Sequence, residues 1–230
     1  MTHKPLLIAL DGPVSAGKSS LADAVARRLN ILHLDTGAMY RAIGLAALQQ
    51  GIDPADEQAV SNLVESGRVE VDVRFADGHQ QTLLNGSPVD DLIRSQQVGS
   101  AASTVSRYGP VRRYLVARQQ AIARQQSMII DGRDIGTVVL PGARAKVFLT
   151  ASPEVRARRR YEQIRGTDPA ATYEAVLSEL IQRDRQDRER PLDPLRQAED
   201  AVLLDTTGFS FDQSVEAILR IVEAAYGQAR

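Results

Sequence analysis

The chain has 230 residues, 43% of them hydrophobic and 25% charged, enough to bury one substantial core. A formal net charge of −1 argues against a protein whose main task is coating nucleic acid. With no cysteine, disulfides, thiolate metal sites and cysteine nucleophiles are excluded.

In chain order, Leu6 to Leu10 is a continuous apolar run, as in a strand buried on both faces. It is too short for a signal-peptide core or a membrane span, so a cytoplasmic protein with no membrane partner is expected. A glycine-containing loop, 12–17, leads into a helical pattern with Leu21, Val25 and Leu29 spaced by four. Residues 31–35 read as a second strand and 38–50 as a helix stopped by Gly51. Such alternation suggests a parallel sheet with right-handed crossovers. The pattern then changes. Residues 68–75 alternate apolar and polar, and Asp77-Gly78 and Asn85-Gly86 are tight-turn signals on either side of residues 82–84. A small antiparallel sheet with one wet face is expected, interrupting the α/β alternation over roughly 61–100. Helical patterns resume at 96–107 and 111–126, with Pro110 suited to a first helical position. Two short apolar strands follow at 128–131 and 146–149. Ser152-Pro153 opens an arginine-rich helix, Asp168-Pro169 breaks it, and a second charged helix runs over 172–189. Residues 201–205 supply a fifth strand, and Asp212 is the expected cap of a last helix ending near Gly227.

Gly12-Pro13-Val14-Ser15-Ala16-Gly17-Lys18-Ser19 fits G-x-x-x-x-G-K-[ST]. In such a loop successive backbone N–H groups point inward at phosphate oxygens, and glycines permit the close approach. The lysine neutralises the β and γ phosphates, and the serine hydroxyl ligates Mg²⁺. The required context, an apolar strand before and an amphipathic helix after, is present. Gly12, Pro13, Ser15, Ala16, Gly17, Lys18, Ser19 and Ser20 are therefore assigned to ATP, with Ser19 as the metal ligand. Only Lys4, Lys18 and Lys146 are lysines, which sets Lys18 apart. No Asn-Lys-x-Asp segment is present, as guanine recognition in a GTPase requires.

Asp35-Thr36-Gly37-Ala38-Met39-Tyr40-Arg41 follows the second strand. It reads either as a holder of a second phosphate or as an ordinary helix cap at Thr36 with a solvated Arg41. Asp131-Gly132-Arg133-Asp134-Ile135-Gly136-Thr137 follows the third strand and is either a ligand loop or a polar loop with an internal ion pair. Asp131 serves a Mg²⁺-bound water or the turn itself. On a helix, Arg183, Asp187 and Arg190 share one face, while Asp184 and Arg188 share another. Arg156, Arg159 and Arg160 lie on one side of theirs, either as a lid over ATP or as surface charge paired with Glu154 and Glu162; Arg158 points elsewhere. His3, His33 and His79 have no metal-ligand spacing and are read as structural.

Together the loop Gly12–Ser19, the segments 35–41 and 131–137, and Arg183-Asp184-Arg185-x-Asp187-Arg188-x-Arg190-Pro191 resemble bacterial cytidylate kinases over essentially the whole chain. The resemblance implies a single P-loop kinase domain over 1–230. Its α/β fold is a doubly wound five-stranded parallel sheet, with an inserted antiparallel-sheet monophosphate-binding subdomain over roughly 36–110 and a helical lid over roughly 154–170. It implies transfer of the γ-phosphoryl group of ATP to cytidine or deoxycytidine monophosphate with Mg²⁺. A monomer acting on small nucleotides is expected, with no nucleic acid partner. Thr36, Arg41, Arg133, Arg183 and Arg190 would serve hydroxyl and phosphate; Ser103, Arg112 and Asp134 would read cytosine; Asp187 would hold sugar hydroxyls; Tyr40 completes the acceptor set. Arg156 and Arg159 would reach ATP, and Lys18, Arg133, Arg159, Arg183 and Arg190 form the catalytic set. Two departures from the family pattern are Val14, in place of a smaller residue, and Thr36, in place of serine. The acceptor phosphate is already anionic, so no general base is needed; rigid bidentate arginines meet the demand of bringing two anions together. Rival readings are a kinase for another small acceptor such as uridine monophosphate, a nucleotide-binding module without turnover, and an arginine-based nucleic-acid binder.

Overall fold

A computed structural model describes residues 5–166 and 168–227. His3, Lys4 and, within the expected lid, Thr167 lie outside the described residues. A five-stranded parallel sheet has the order β2-β6-β1-β7-β8, and a separate three-stranded antiparallel sheet has the order β3-β4-β5. The strands are β1 (Leu7–Asp11), β2 (Leu32–Asp35), β3 (Val71–Ala76), β4 (His79–Leu84), β5 (Ser87–Pro88), β6 (Met128–Gly132), β7 (Ala145–Thr150) and β8 (Val202–Asp205). The described chain forms two compact units: residues 5–6 with 30–130, and residues 7–29 with 131–227.

The second unit is the sequel to strand β1, whose Ile8, Ala9 and Leu10 are fully buried, as a continuous apolar run demands. β1 pairs in parallel with β7, and β7 with β8. Helix α1 (Lys18–Leu29) buries Leu21, Ala22, Val25 and Ala26 and keeps Arg27 and Arg28 at its carboxyl end, where they complement the helix dipole. Helices α6 (Pro153–Ile164) and α7 (Tyr173–Glu189) pack together through Ala157, Val176 and Leu180. Ser152 caps α6 through the Val155 N–H, and Thr172 caps α7 through the Ala175 N–H. Helix α8 (Phe211–Tyr226) ends at Gly227, which takes a left-handed φ of 78°. Its cap is Ser210, not Asp212. The Ser210 hydroxyl accepts from the Gln213 N–H while the Gln213 side chain accepts from the Ser210 N–H, a reciprocal box that leaves Asp212 in the first turn.

In the first unit, α2 (Thr36–Gln49) packs on α4 (Gln96–Val105). Gly44 permits the approach, because a Cβ there would lie 3.0 Å from the Ala102 nitrogen. Helix α5 (Gly109–Ala123) carries Pro110 in its first turn, as expected. Both hairpin turns have two left-handed central residues: Asp77 and Gly78 at φ 52° and 78°, Asn85 and Gly86 at 49° and 79°. Helix α3 (Glu57–Glu65) is not anticipated by the patterns above. It is short, capped by Asp56 on the Ala59 N–H, and buries Val60, Leu63 and Val64.

Candidate active site

The phosphate loop lies in the second unit between β1 and α1. Gly12 has no substitute: a Cβ would sit 2.1 Å from the Leu149 carbonyl oxygen. Ser15 follows in a left-handed conformation, φ 58°, unusual for a residue with a side chain. Lys18 opens α1 and is buried, its Nζ donating to the Pro13 carbonyl at 2.8 Å. Burial, then the positive Arg133, push its ammonium pKa down to about 7, while Asp131, Asp187 and Asp11 work the other way. Ser19 Oγ donates to Asp131 Oδ2 at 3.0 Å. These hard oxygens fit Mg²⁺, which prefers one or two protein oxygens together with ligand phosphates and water. No cluster of three or more metal-ligating side chains is found among the described residues. Ser19 and Ser20 are exposed, and Ala16 is buried.

Asp187, Asp134, Asp184 and Asp11 each hold a neighbouring group of this unit in place. Asp187 Oδ2 accepts from Arg133 Nε at 2.7 Å. Burial opposes its charge, but Arg133, Arg183 and Arg190 hold its carboxyl below the usual range. Burial likewise opposes the charge of Arg133, yet Asp187 and Asp131 raise its guanidinium above its ordinary value. Asp134 stands 3.5 Å from Arg190 Nη2, both side chains being buried, and Arg190 Nε also donates to the Asp193 carbonyl at 2.7 Å. Arg183 and Asp187 lie on α7, whereas Arg190 is its C-cap with extended backbone rather than a further residue of the helical face; both arginines still act on Asp187. Asp184 is buried as well, paired with Arg156 at 2.7 Å. The fourth, Asp11, accepts from the Ile135 and Gly136 N–H groups, both at 2.7 Å. It thereby fixes the start of the single π-helical turn Ile135–Val139 that follows Arg133 and Asp134. Burial pushes its carboxyl up to about 6 against those two hydrogen bonds.

The arginines of α6 separate. Arg156 is 2% exposed, far from the solvated position expected of a lid residue. Arg158 stacks over the Tyr173 ring at 4.8 Å, and Arg159 Nη2 donates to the Thr206 carbonyl at 3.1 Å. Arg160 is exposed.

The first unit carries the other expected residues. Asp35, not Thr36, caps α2: its side chain accepts from the Ala38 N–H at 3.2 Å, and Thr36 is the buried first helical residue. Gln80 of β4 grips Asp35 at both ends, accepting from its N–H at 2.7 Å and donating to its carbonyl at 3.2 Å. Arg41 is not simply solvated. Its Nη1 donates to the Ile93 carbonyl at 2.9 Å, and its guanidinium lies where a Cβ on Gly99 would stand 3.0 Å away. Arg112 is 2% exposed, donates to the Ser106 carbonyl at 3.1 Å and lies 5.8 Å from the Tyr40 ring centre. Ser103 sits one turn before, its carbonyl accepting from Ser106 Oγ at 2.9 Å.

Asp11 and Gln80 are given no role by the sequence, and Asp184, placed there on a face with Arg188, pairs instead with Arg156. Asp184 left a trace, since Val176, Leu180 and Asp184 continue one apolar stripe at intervals of four, where a carboxylate must find a partner. Asp11 left a fainter one, as an acid ending a fully apolar strand.

The family model described as cytidylate kinase matches residues 8–224. A cytidylate kinase from Bacillus subtilis is 42% identical over 221 residues, covering 96% of this chain and 98% of its own. The cytidylate kinase from Geobacillus kaustophilus is 45% identical over 220 residues, covering 96% and 97%. That from Bacillus licheniformis is 42% identical over 221 residues, covering 96% and 97%. The crystal structure of an uncharacterized protein from Eubacterium ventriosum superposes with a TM-score of 0.52 at 10% identity, covering 96% of this chain and 99% of that one, a likeness of fold alone.

Proposed function

The chain belongs to the cytidylate kinase family, and on that basis we propose that it transfers the γ-phosphoryl group of ATP to cytidine monophosphate or its deoxy form, releasing ADP and the diphosphate. The observation that carries the chemistry is Lys18, a buried ammonium inside a phosphate loop, with Arg133 close enough to depress its pKa. Two cations forced together without a ligand are a receptor for concentrated negative charge.

The acceptor phosphate attacks the γ-phosphorus while the bond to the β-phosphate oxygen breaks, so ADP leaves with the bonding electrons. The residues orient and neutralise; none needs to remove a proton. Lys18 and the loop amides take the transferring and leaving oxygens. Arg133, Arg183 and Arg190 are assigned to the phosphates, Asp187 to the acceptor sugar, and Asp134 with Ser103 and Arg112 to the base. Thr36, Tyr40 and Arg41 complete the acceptor contacts, and Arg159 serves the donor. Mg²⁺, when bound with ATP, would be held by Ser19, with Asp131 beside it, and would screen the β and γ oxygens. A monomer in the cytoplasm, where ATP and monophosphates are found, is part of the proposal. No helix among the described residues is long and apolar enough to cross a membrane.

The test is coupled ADP production with ATP and Mg²⁺ across a panel of monophosphates. Turnover strongest with cytidine or deoxycytidine monophosphate is expected. Best turnover with adenosine or guanosine monophosphate, or ADP release independent of acceptor, would defeat the proposal.

A further inference from the structure

Val14 is held in three ways. Its N–H donates to Asp184 Oδ1 at 3.3 Å. Its carbonyl accepts from Arg156 Nη1 at 3.0 Å. Its side chain packs against the cluster of Ala157, Val176 and Leu180 that joins α6 to α7. Arg156 and Asp184 are themselves paired, Nη2 to Oδ2, at 2.7 Å, with side chains 2% and 7% exposed. One buried ion pair therefore closes around both polar backbone groups of a single residue of the phosphate loop. The Val14 side chain supplies the apolar part of the grip. The next residue, Ser15, has the left-handed backbone, a conformation that persists only where its surroundings hold it.

We propose that Arg156 and Asp184 are positioning residues for the nucleoside triphosphate: their ion pair fixes Val14, and through it the phosphate loop, without either side chain touching the ligand. This rests on the reading of residues 12–19 as the ATP phosphate loop. All three nitrogens of Arg156 are engaged by protein, since Nε donates to the Ala151 carbonyl at 2.8 Å. The guanidinium is 2% exposed and each of its nitrogens is turned to a protein oxygen, despite its sequence position among more exposed arginines. Asp184 supports the same conclusion from the opposite sign. A carboxylate aimed at a triphosphate would weaken binding, so its place beside the loop serves the backbone amide and the arginine.

The test is a double-mutant cycle of Arg156→Met and Asp184→Leu, reading equilibrium binding of ATP and of inorganic tripolyphosphate, and KM for cytidine monophosphate. A single substitution strands a buried charge and can prevent folding. The double variant removes both charges at once, a replacement that buried pairs often tolerate. The folded double variant should lose about tenfold or more in affinity for both ATP and tripolyphosphate, because the loop holds phosphates rather than the base. KM for the monophosphate should stay within about twofold of wild type, a split that general loosening would not produce. Where the singles fold, each should lose about as much as the double. An Asp184→Leu protein that binds ATP as tightly as wild type while Arg156→Met binds weakly would overturn the proposal, since Arg156 would then be a direct contact. So would a folded double variant with unchanged affinity for tripolyphosphate. Wild-type turnover, measured alongside, tests the proposed function separately.

Discussion

Asp11→Asn replaces a buried carboxyl that titrates near pH 6 with a group that does not titrate. Asp11 is 4% exposed, and its pKa rises from the ordinary 3.8 to about 6 because burial outweighs the two amide hydrogen bonds it accepts. The folded protein therefore binds this proton more tightly than the unfolded chain. Stability from Asp11 is fully present below about pH 4 and is lost as pH rises through about 6. At 1.36 kcal/mol per pH unit, the gap amounts to about 3 kcal/mol. Asparagine keeps one acceptor and turns an N–H toward the second amide. That carries a cost of about 1–3 kcal/mol which does not vary with pH. Urea unfolding followed by circular dichroism from pH 4 to 6.5 separates the two effects, because Lys18 stays largely protonated throughout this window. The wild-type stability minus that of Asp11→Asn should fall by about 2 kcal/mol across this window, the rest of the gap lying below pH 4. Parallel stability curves for the two proteins would refute the argument and show that Asp11 is ionised in the fold already at pH 4.

Lys18→Ala should fold and lose turnover by about a hundredfold or more, because the ammonium acts on charge that shifts in the transition state; near-normal turnover in a folded variant would contradict this. ATP binding to wild type should take up protons between pH 7 and 8, because triphosphate raises the depressed pKa of Lys18; calorimetry in buffers of different ionisation heat should show an uptake, and equal heats would contradict it. Asp187→Ala should raise KM for the monophosphate about tenfold or more. It should also weaken ATP binding, since it leaves Arg133 without its bonded carboxylate and Lys18 without one of its supporting charges; an ATP affinity equal to wild type would show the two are independent. Asp134→Asn should lower the cytidine-to-uridine ratio of kcat/KM by about tenfold or more, because a carboxylate accepts from the 4-amino group of cytosine and repels the carbonyl of uracil. A slower enzyme with an unchanged ratio would assign Asp134 to holding Arg190 alone.

What sequence made legible was local. The five apolar runs became the parallel strands, and Asp-Gly and Asn-Gly became left-handed turns, because both patterns are decided within a few residues. Ser210 was missed as a cap because Asp212 is an equally good cap former, and only the reciprocal bond from Gln213 decides between them. Helix α3 escaped because it is short and follows a proline-containing turn, with an apolar stripe of just three residues. The candidate site divides the same way. The phosphate loop is a contiguous motif and is legible. Asp11, Gln80 and Asp184 act on residues 125, 45 and 170 positions away, and no spacing rule reaches that far. Arg156 stands beside Arg158, Arg159 and Arg160 in sequence, yet it alone of the four is buried, paired with an aspartate 28 positions away.

Pairing in the second unit explains where an anion gains most. Arg133 has Asp187, Arg156 has Asp184, and Arg190 has Asp134, so each guanidinium faces a carboxylate within 3.5 Å. Lys18 bonds to a carbonyl instead. A carbonyl offers a dipole where its neighbours have a full charge, and burial removes the water that would otherwise compensate. The outcome differs accordingly: Arg133 is held above its ordinary pKa, while Lys18 falls to about 7. An incoming triphosphate therefore adds little to these three paired arginines and much to Lys18. The paired arginines stay charged and in place with or without ligand, which keeps the site preorganised. Lys18 is the group whose charge the ligand completes, and proton uptake on binding is the direct measure of that completion.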